Sequence, residues 1–140
     1  MEPTDLYDDK LVYIVDNLES IPNHPELIVQ SGEALELVQI CIRTTLDVVG
    51  MLVEELGGES KDDLSNIIHL MEGCLLPREL GRDLIGCLGV NMLLGQRFDA
   101  FDQRAVLNNI ERVRETIYRF MDLVDDVLAQ MEGRALSPDP

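Results

Sequence analysis

Few residues of this chain could do acid–base, nucleophilic or metal chemistry: it has two histidines and three cysteines among 140 residues. Cys41, Cys74 and Cys87 match no zinc-binding spacing and each lies among apolar residues, which predicts buried, reduced thiols. His69 stands between two apolar residues, which favours a packed or half-exposed imidazole over a catalytic one, and His24 lies in a proline turn. We therefore expect no metal site and no cofactor.

A second place where chemistry could occur is the stretch GVNMLLGQRFDAFD, residues 89–102. It begins as an apolar helix and then turns polar, with an asparagine, a glutamine and an arginine but no histidine, cysteine or serine. Arg97 could contact a phosphate, although a lone arginine at a helix end more often serves the helix dipole or an acid. The stretch is either a plain helix end or a site whose reactive groups have been replaced.

The charge of the chain bears on its partners. The formal net charge is −16, from 27 acidic and 11 basic residues, and only two of the bases are lysines. Such a surface repels phosphate at long range, so strong RNA binding is not expected unless a local basic cleft exists. The composition also fits a high-salt cytoplasm, where screening shortens the reach of charge.

No segment predicts a membrane protein. The uncharged apolar stretches fall short of the roughly 20 residues that span a bilayer. The acidic start MEPTDLYDD cannot act as the basic start of a secretory signal. We expect a cytoplasmic protein with no membrane contact.

The composition and periodicity predict an all-α fold. Hydrophobic residues make up 46% of the chain, aromatic residues only 4%, and tryptophan is absent, a mixture that favours helices over a β-sandwich. We expect a four- to five-helix up-and-down bundle as a single domain, residues 1–133, followed by a frayed tail, 134–140. The predicted helices span about 5–21, 26–55, 59–74, 77–95 and 103–132.

Several local features are predicted for these helices. In the first helix, Leu6, Val12 or Tyr13 and the residues 14–18 should form the buried face. The second should be the most buried helix and should end at Gly57 and Gly58. We expect Ser60 as the N-cap of the third helix and Pro77 in the first turn of the fourth. The glycines of the fourth helix, Gly81, Gly86, Gly89 and Gly95, predict close contacts with neighbouring helices. The fifth helix should bury a heptad-like stripe from Val106 to Val127 and expose its charged outer face to solvent.

The order of these elements is familiar. Together with the segments LVQICIRTTLDVV (37–49), LLPREL (75–80) and LGVNMLLGQRFDAFD (88–102), it resembles the HepT-like family of the HEPN superfamily. Members of that family are small helical RNase toxins paired with MNT-type nucleotidyltransferase antitoxins. The resemblance implies a HEPN-like bundle, a homodimer with the catalytic cleft at its interface, and an MNT-type antitoxin as partner.

The resemblance also places the family's reactive positions. The family's catalytic arginine, histidine and tyrosine correspond here to Asn91, Gln96 and Phe98. Gln96 cannot exchange a proton near neutral pH, and Asn91 carries no positive charge for a phosphate. Phe98 lacks the hydroxyl that an antitoxin can modify. Asp47, as a hydrogen-bonded polar residue, and Arg97 are further candidate cleft residues.

Three functional hypotheses follow. The first is a HEPN-fold protein that no longer cuts RNA and acts through dimerisation and protein association. The second is a divergent metal-independent ribonuclease that uses Arg97 with His69 or Asp47 and is neutralised by an MNT-type antitoxin. The third is an acidic helical scaffold unrelated to HEPN proteins.

Overall fold

The regular secondary structure of the described residues is all helical. A computed structural model describes residues 3–23, 32–94 and 100–136, with side chains over 5–23, 33–94 and 109–131. The predicted all-α bundle is confirmed. Its helices, in chain order, are α1 (Pro3–Glu19), α2 (Gly32–Glu55), α3 (Asp63–Glu72), α4 (Arg78–Leu94) and α5 (Ala100–Leu136).

Helix α2 is the centre of the bundle, as its apolar sequence predicts. It contacts each of the other four helices. Val38, Ile42, Val49 and Leu52 on it are almost fully buried. Even so, no helix in the described parts of the chain is long and apolar enough to cross a membrane.

The buried face of α1 differs from the prediction. Leu6, Val12 and Tyr13 are each about half exposed. The core-facing residues follow a stricter spacing of four, three and four, since the α-helix repeats every 3.6 residues. They are Tyr7, Leu11, Ile14 and Leu18. The prediction for Leu6, Val12 and Tyr13 is wrong because a run of adjacent apolar residues does not fix the rotation of a helix about its axis.

Two helices end in the same type of cap. After α2, Gly57 takes a φ of 86°, and the N–H of Gly58 donates to the carbonyl of Val53, a Schellman motif that confirms the predicted cap. After α3, Cys74 takes the equivalent position with a φ of 63°. The N–H groups of Cys74 and Leu75 donate to the carbonyls of Met71 and Leu70. A cysteine therefore stands where glycine is usual.

The starts of α3 and α4 correct two predictions. Asp62, not Ser60, caps α3, because its carboxylate accepts from the N–H of Ser65; this hydrogen bond also lowers the pKa of Asp62. The hydroxyl of Ser60 instead accepts from Asn66. Pro77 precedes α4 and does not lie within it, since its carbonyl accepts the first intrahelical bond from Gly81.

On helix α5 the predicted apolar stripe is buried, but one arginine of the predicted solvated face is not exposed to solvent. Among its described side chains, the buried apolar ones are Ile110, Val113, Ile117, Phe120, Met121, Val124 and Leu128. Val127 is half-buried, and Val106 lies outside the described side chains. Arg114, expected in solvent, turns inward and donates to Asn23 and to the carbonyl of Pro22. The helix also continues to Leu136, into the segment predicted as a frayed tail, because arginine, alanine and leucine favour helix.

Candidate functional site

The C-terminal half of α4 opens onto a depression of about 540 Å³. Asn91, one turn before the end of α4, forms one wall. Tyr13 of α1 forms another. The floor comes from α2, whose residues at three- and four-residue spacing share one face of the helix. These are Glu36, Gln39, Ile40, Arg43 and Thr44.

Asn91 is the unusual residue of this depression. Its side chain is half-buried, and its Oδ1 atom is inaccessible to solvent without a hydrogen-bond partner. A buried polar atom without a partner costs about 1–3 kcal/mol. Buried polar groups without partners are uncommon, and each one requires an explanation. Here the position coincides with that of the arginine expected from the family resemblance.

Arg43 lies at the edge of the depression and is neutralised by two acids. Its Nη1 and Nη2 atoms donate to the two carboxylate oxygens of Asp63 at 3.0 and 2.8 Å. Its Nε atom lies 3.5 Å from Oδ1 of Asp47, one turn along α2. The hydrogen bond to Asp63 is the main reason why the pKa of Arg43 is raised. The guanidinium therefore ties α2 to α3 and is not free to bind a phosphate.

Asp47 lies beside this depression and not in it. It lines a neighbouring concavity together with Arg43, Met51 and Asp63. Its carboxylate forms an ion pair with Arg43. The other predicted site residues, Gln96, Arg97 and Phe98, lie outside the described residues. Their roles stay predictions.

His69 and the three cysteines lie away from the Asn91 depression. The imidazole of His69 packs over Gly58, where an added Cβ would come within 2.9 Å of Nε2, and it lines a different depression from that of Asn91. Burial raises the pKa of Cys41 to about 11 and that of Cys87 to about 12. Cys74 is exposed, which corrects the expectation of a third buried thiol. The residue lies in the turn after α3, and its apolar sequence neighbours gave no indication of that position.

A second concavity, between α4 and α5, holds a cluster that the sequence did not reveal. It measures about 220 Å³ and is lined by Arg82, Asp83, Cys87 and Arg112, among others. The carboxylate of Asp83 accepts from Arg112 at 3.2 Å and also from Arg119. The two arginines lie 29 and 36 positions after Asp83 in the chain. No local pattern could have indicated that they meet.

The chemistry of the Asn91 depression is limited. Its lining, as far as side chains are described, contains carboxamides, hydroxyls, one carboxylate and one paired guanidinium, but neither an imidazole nor a thiol. No cluster of three potential metal ligands occurs among the described residues. The arrangement can bind and orient a ligand through hydrogen bonds. Among the described lining residues, only the carboxylate of Glu36 and the hydroxyl of Tyr13 are of types that transfer protons.

Comparisons with known proteins agree with this fold. Over 126 residues the chain is 32% identical to an Archaeoglobus fulgidus protein named "Putative RNase", covering 90% of this chain and 96% of that protein. The fold is similar to a solved structure of a tri-AMPylated Shewanella oneidensis HEPN toxin in complex with MNT antitoxin. That match has a TM-score of 0.70 and 11% identity, covering 84% of this chain and 92% of the other. No model of a known protein family matches the chain.

Proposed function

This chain belongs to the HepT-like family of HEPN proteins, and from that membership we propose that it is a toxin–antitoxin type protein that no longer cuts RNA. It acts through dimerisation and association with a protein partner. The family membership removes the third hypothesis, an unrelated acidic scaffold. What separates the remaining two is whether the site can still catalyse phosphodiester cleavage.

The observation that carries the proposal is the neutral carboxamide of Asn91, whose Oδ1 atom has no hydrogen-bond partner. An electrostatic stabiliser of a transition state contributes about 10² to 10³ in rate, and a positioned proton carrier about 10² to 10⁴. Asn91 cannot replace the charge of an arginine, and Gln96 cannot replace a histidine. Even with strong non-additivity, losing both groups removes most of the activity.

The activity is tested by restoring the missing groups. Purified wild-type protein, incubated with single-stranded RNA at high protein concentration, is expected to produce no cleavage above buffer. The double variant Asn91→Arg/Gln96→His is expected to cut RNA. The matched control Asn91→Lys/Gln96→Asn changes the same positions without supplying an imidazole. Wild-type cleavage that is lost in Asn91→Ala would contradict the proposal.

The association has two parts, which we propose together. The first is a homodimer with the degenerate cleft at its interface, expected as a single dimeric species by light scattering; a strict monomer over a wide concentration range would count against it. The second is an MNT-type nucleotidyltransferase antitoxin as partner, supported by the similar HEPN toxin in complex with MNT antitoxin. Phe98 has no hydroxyl to accept a nucleotide, so intact-mass analysis after co-expression should find no adduct at that residue.

A divergent ribonuclease is the alternative, and the relative named "Putative RNase" favours it. It would use Arg97 with His69 or Asp47. His69 and Asp47 each line a concavity other than the Asn91 depression, so either residue would place the reaction away from Asn91. Wild-type cleavage that disappears in Arg97→Ala and persists in Arg78→Ala would establish this alternative.

A further inference from the structure

We infer that the depression between α1, α2 and α4 is a receptor for an arginine side chain of a protein partner. This inference rests on the proposed function, since it names the chemistry of the association. It concerns the pocket lined by Tyr13, Glu36, Gln39, Ile40, Arg43, Thr44 and Asn91.

The charges around the depression favour a cation. Arg43 is the only base in the described lining, and the carboxylates of Asp63 and Asp47 already neutralise it. Glu36 is exposed and forms no ion pair within the described part of the chain. Glu36 is therefore the one carboxylate of the described lining, and the guanidinium beside it is already neutralised by two other acids. An incoming cation is attracted, both locally and by the net charge of −16, and a phosphate is repelled.

The hydrogen-bonding groups also require a donor. Oδ1 of Asn91 has no partner, and the carboxamide of Gln39 lies on the facing helix. The terminal torsion of an asparagine is soft, so rotation of the amide is the movement that would turn this buried oxygen towards a ligand in the depression. A guanidinium carries five N–H donors and no acceptor. It can donate to the carboxylate of Glu36 and to the carboxamide of Asn91 with different edges.

The aromatic wall selects arginine over lysine. Tyr13 is 50% exposed and stands at the rim of the depression. A guanidinium stacks flat on an aromatic ring and is more weakly hydrated than an ammonium, so it loses less on leaving water. The volume of about 540 Å³ exceeds what one side chain fills, which leaves room for flanking residues of the partner.

The experiment uses L-arginine amide as the probe. Its titration into ¹⁵N-labelled full-length protein, at constant ionic strength, is followed by amide chemical shifts. We expect saturable shifts centred on Gln39, Ile40, Thr44 and Asn91. Inorganic phosphate and AMP, titrated in parallel, are expected to leave these amides unchanged.

Variants of the exposed lining residues sharpen the test without threatening the fold. Glu36→Gln and Tyr13→Leu should each weaken binding of L-arginine amide by about two- to fivefold, the range expected for an exposed ion pair or cation–π contact. Together they should weaken it by about tenfold. Glu72→Gln, on α3, makes the same change of charge at another depression and should leave the affinity unchanged.

Several results would overturn the inference. These are shifts spread evenly over the acidic surface, equal weakening by Glu72→Gln, or phosphate or AMP binding in place of L-arginine amide. The RNA assay is a separate measurement. If the protein neither cuts RNA nor binds L-arginine amide in the depression, only the inference of an arginine receptor is contradicted. If it cuts RNA, the proposed function is contradicted.

Discussion

The two halves of α4 use their side chains very differently. In the first half, here residues 78–87, the carboxylate of Asp83 accepts hydrogen bonds from two arginines of α5, and Cys87 is buried. Gly81 lies against Met71, so close that an added Cβ would come within 2.4 Å of its Sδ atom. In the second half, Met92 is 59% exposed and Gly89 has open space above it. Gly86 has open space as well, so the close helix contacts predicted at these two glycines are wrong. Asn91 has an acceptor without a partner.

This difference separates stability from function along one helix. The first half has packed glycine, paired charge and buried sulfur, which are features of a structural core. The second half has an exposed apolar side chain and an unsatisfied polar atom, which lower stability and persist at sites that bind something else. The comparison predicts that changes in the first half destabilise the fold, whereas changes in the second half leave it intact or improve it.

The largest effect is expected at alkaline pH. Burial, followed by the charge of Asp83, raises the pKa of Cys87 from 9.0 to about 12. The fold therefore favours the protonated thiol, a contribution that is complete below pH 9 and lost as the pH rises towards 12. Such a shift corresponds to about 4 kcal/mol at most. Urea denaturation between pH 8 and 11 should show falling stability.

The raised pKa values of Tyr7 and Cys41, about 12 and about 11, act in the same direction. Cys87→Ala should therefore make the alkaline loss shallower without abolishing it. Cys74→Ala controls for the removal of a sulfhydryl group. Burial of Cys87 indicates that water is excluded from the first half of α4. An identical pH dependence for Cys87→Ala and the wild type would contradict this.

The next effect concerns the charge cluster of the first half. Asp83→Asn removes the carboxylate shared by Arg112 and Arg119 and should lower the free energy of unfolding by about 1–2 kcal/mol. Glu79→Gln, one turn earlier on the same helix, makes the same chemical change at an exposed residue and should cost less than about 0.5 kcal/mol. Chemical denaturation of both variants gives the comparison. Equal losses would mean that the cluster contributes nothing specific.

One substitution should have opposite signs in the two halves. Gly81→Ala forces Met71 to move and should cost about 1–2 kcal/mol even after the gain in helix propensity. Gly89→Ala meets nothing within 4 Å and should stabilise the protein by about 0.5–1 kcal/mol. Thermal melting measures both. A loss of stability in Gly89→Ala would mean that another part of the protein contacts the second half of α4 at Gly89.

The smallest effect tests the unpartnered carboxamide. Asn91→Leu replaces a half-buried polar group that has an unsatisfied atom and should raise the free energy of unfolding by about 1 kcal/mol. Asn91→Asp, which puts a charge in the same place, should lower it. Denaturation at neutral pH distinguishes the two. A marked loss of stability in Asn91→Leu would show that the amide serves the fold and not a ligand.

Much of the fold follows from local patterns. The central position of α2 and its cap at Gly57 were predicted from apolar content and glycine placement, which act over one or two turns. The rotation of α1 was not predicted, because adjacent apolar residues at positions 11–15 allow more than one face. Ser60 and Asp62 both precede α3 and both are residue types that cap helices, and only the hydrogen bond from Ser65 identifies Asp62 as the cap.

The candidate site divides in the same way. Asn91 was found from the order of residues in one segment, but its orphaned oxygen and its neighbours Tyr13 and Gln39 depend on helices that are distant in the chain. The ion pairs of Asp83 and the inward turn of Arg114 could not be foreseen either. Their partners lie 29 or more residues away, and spacing along a chain carries no information about such contacts.

The sequence by itself determined the helices, the strongly negative charge and the family, because helix periodicity, net charge and residue order are properties of the chain alone. The tertiary structure decided which faces are buried, which thiol is exposed and which acids neutralise Arg43. It also decided that Asn91 faces a depression with Tyr13 and Glu36. These depend on how helices pack against one another, where a rotation of a few tens of degrees exchanges a buried side chain for an exposed one.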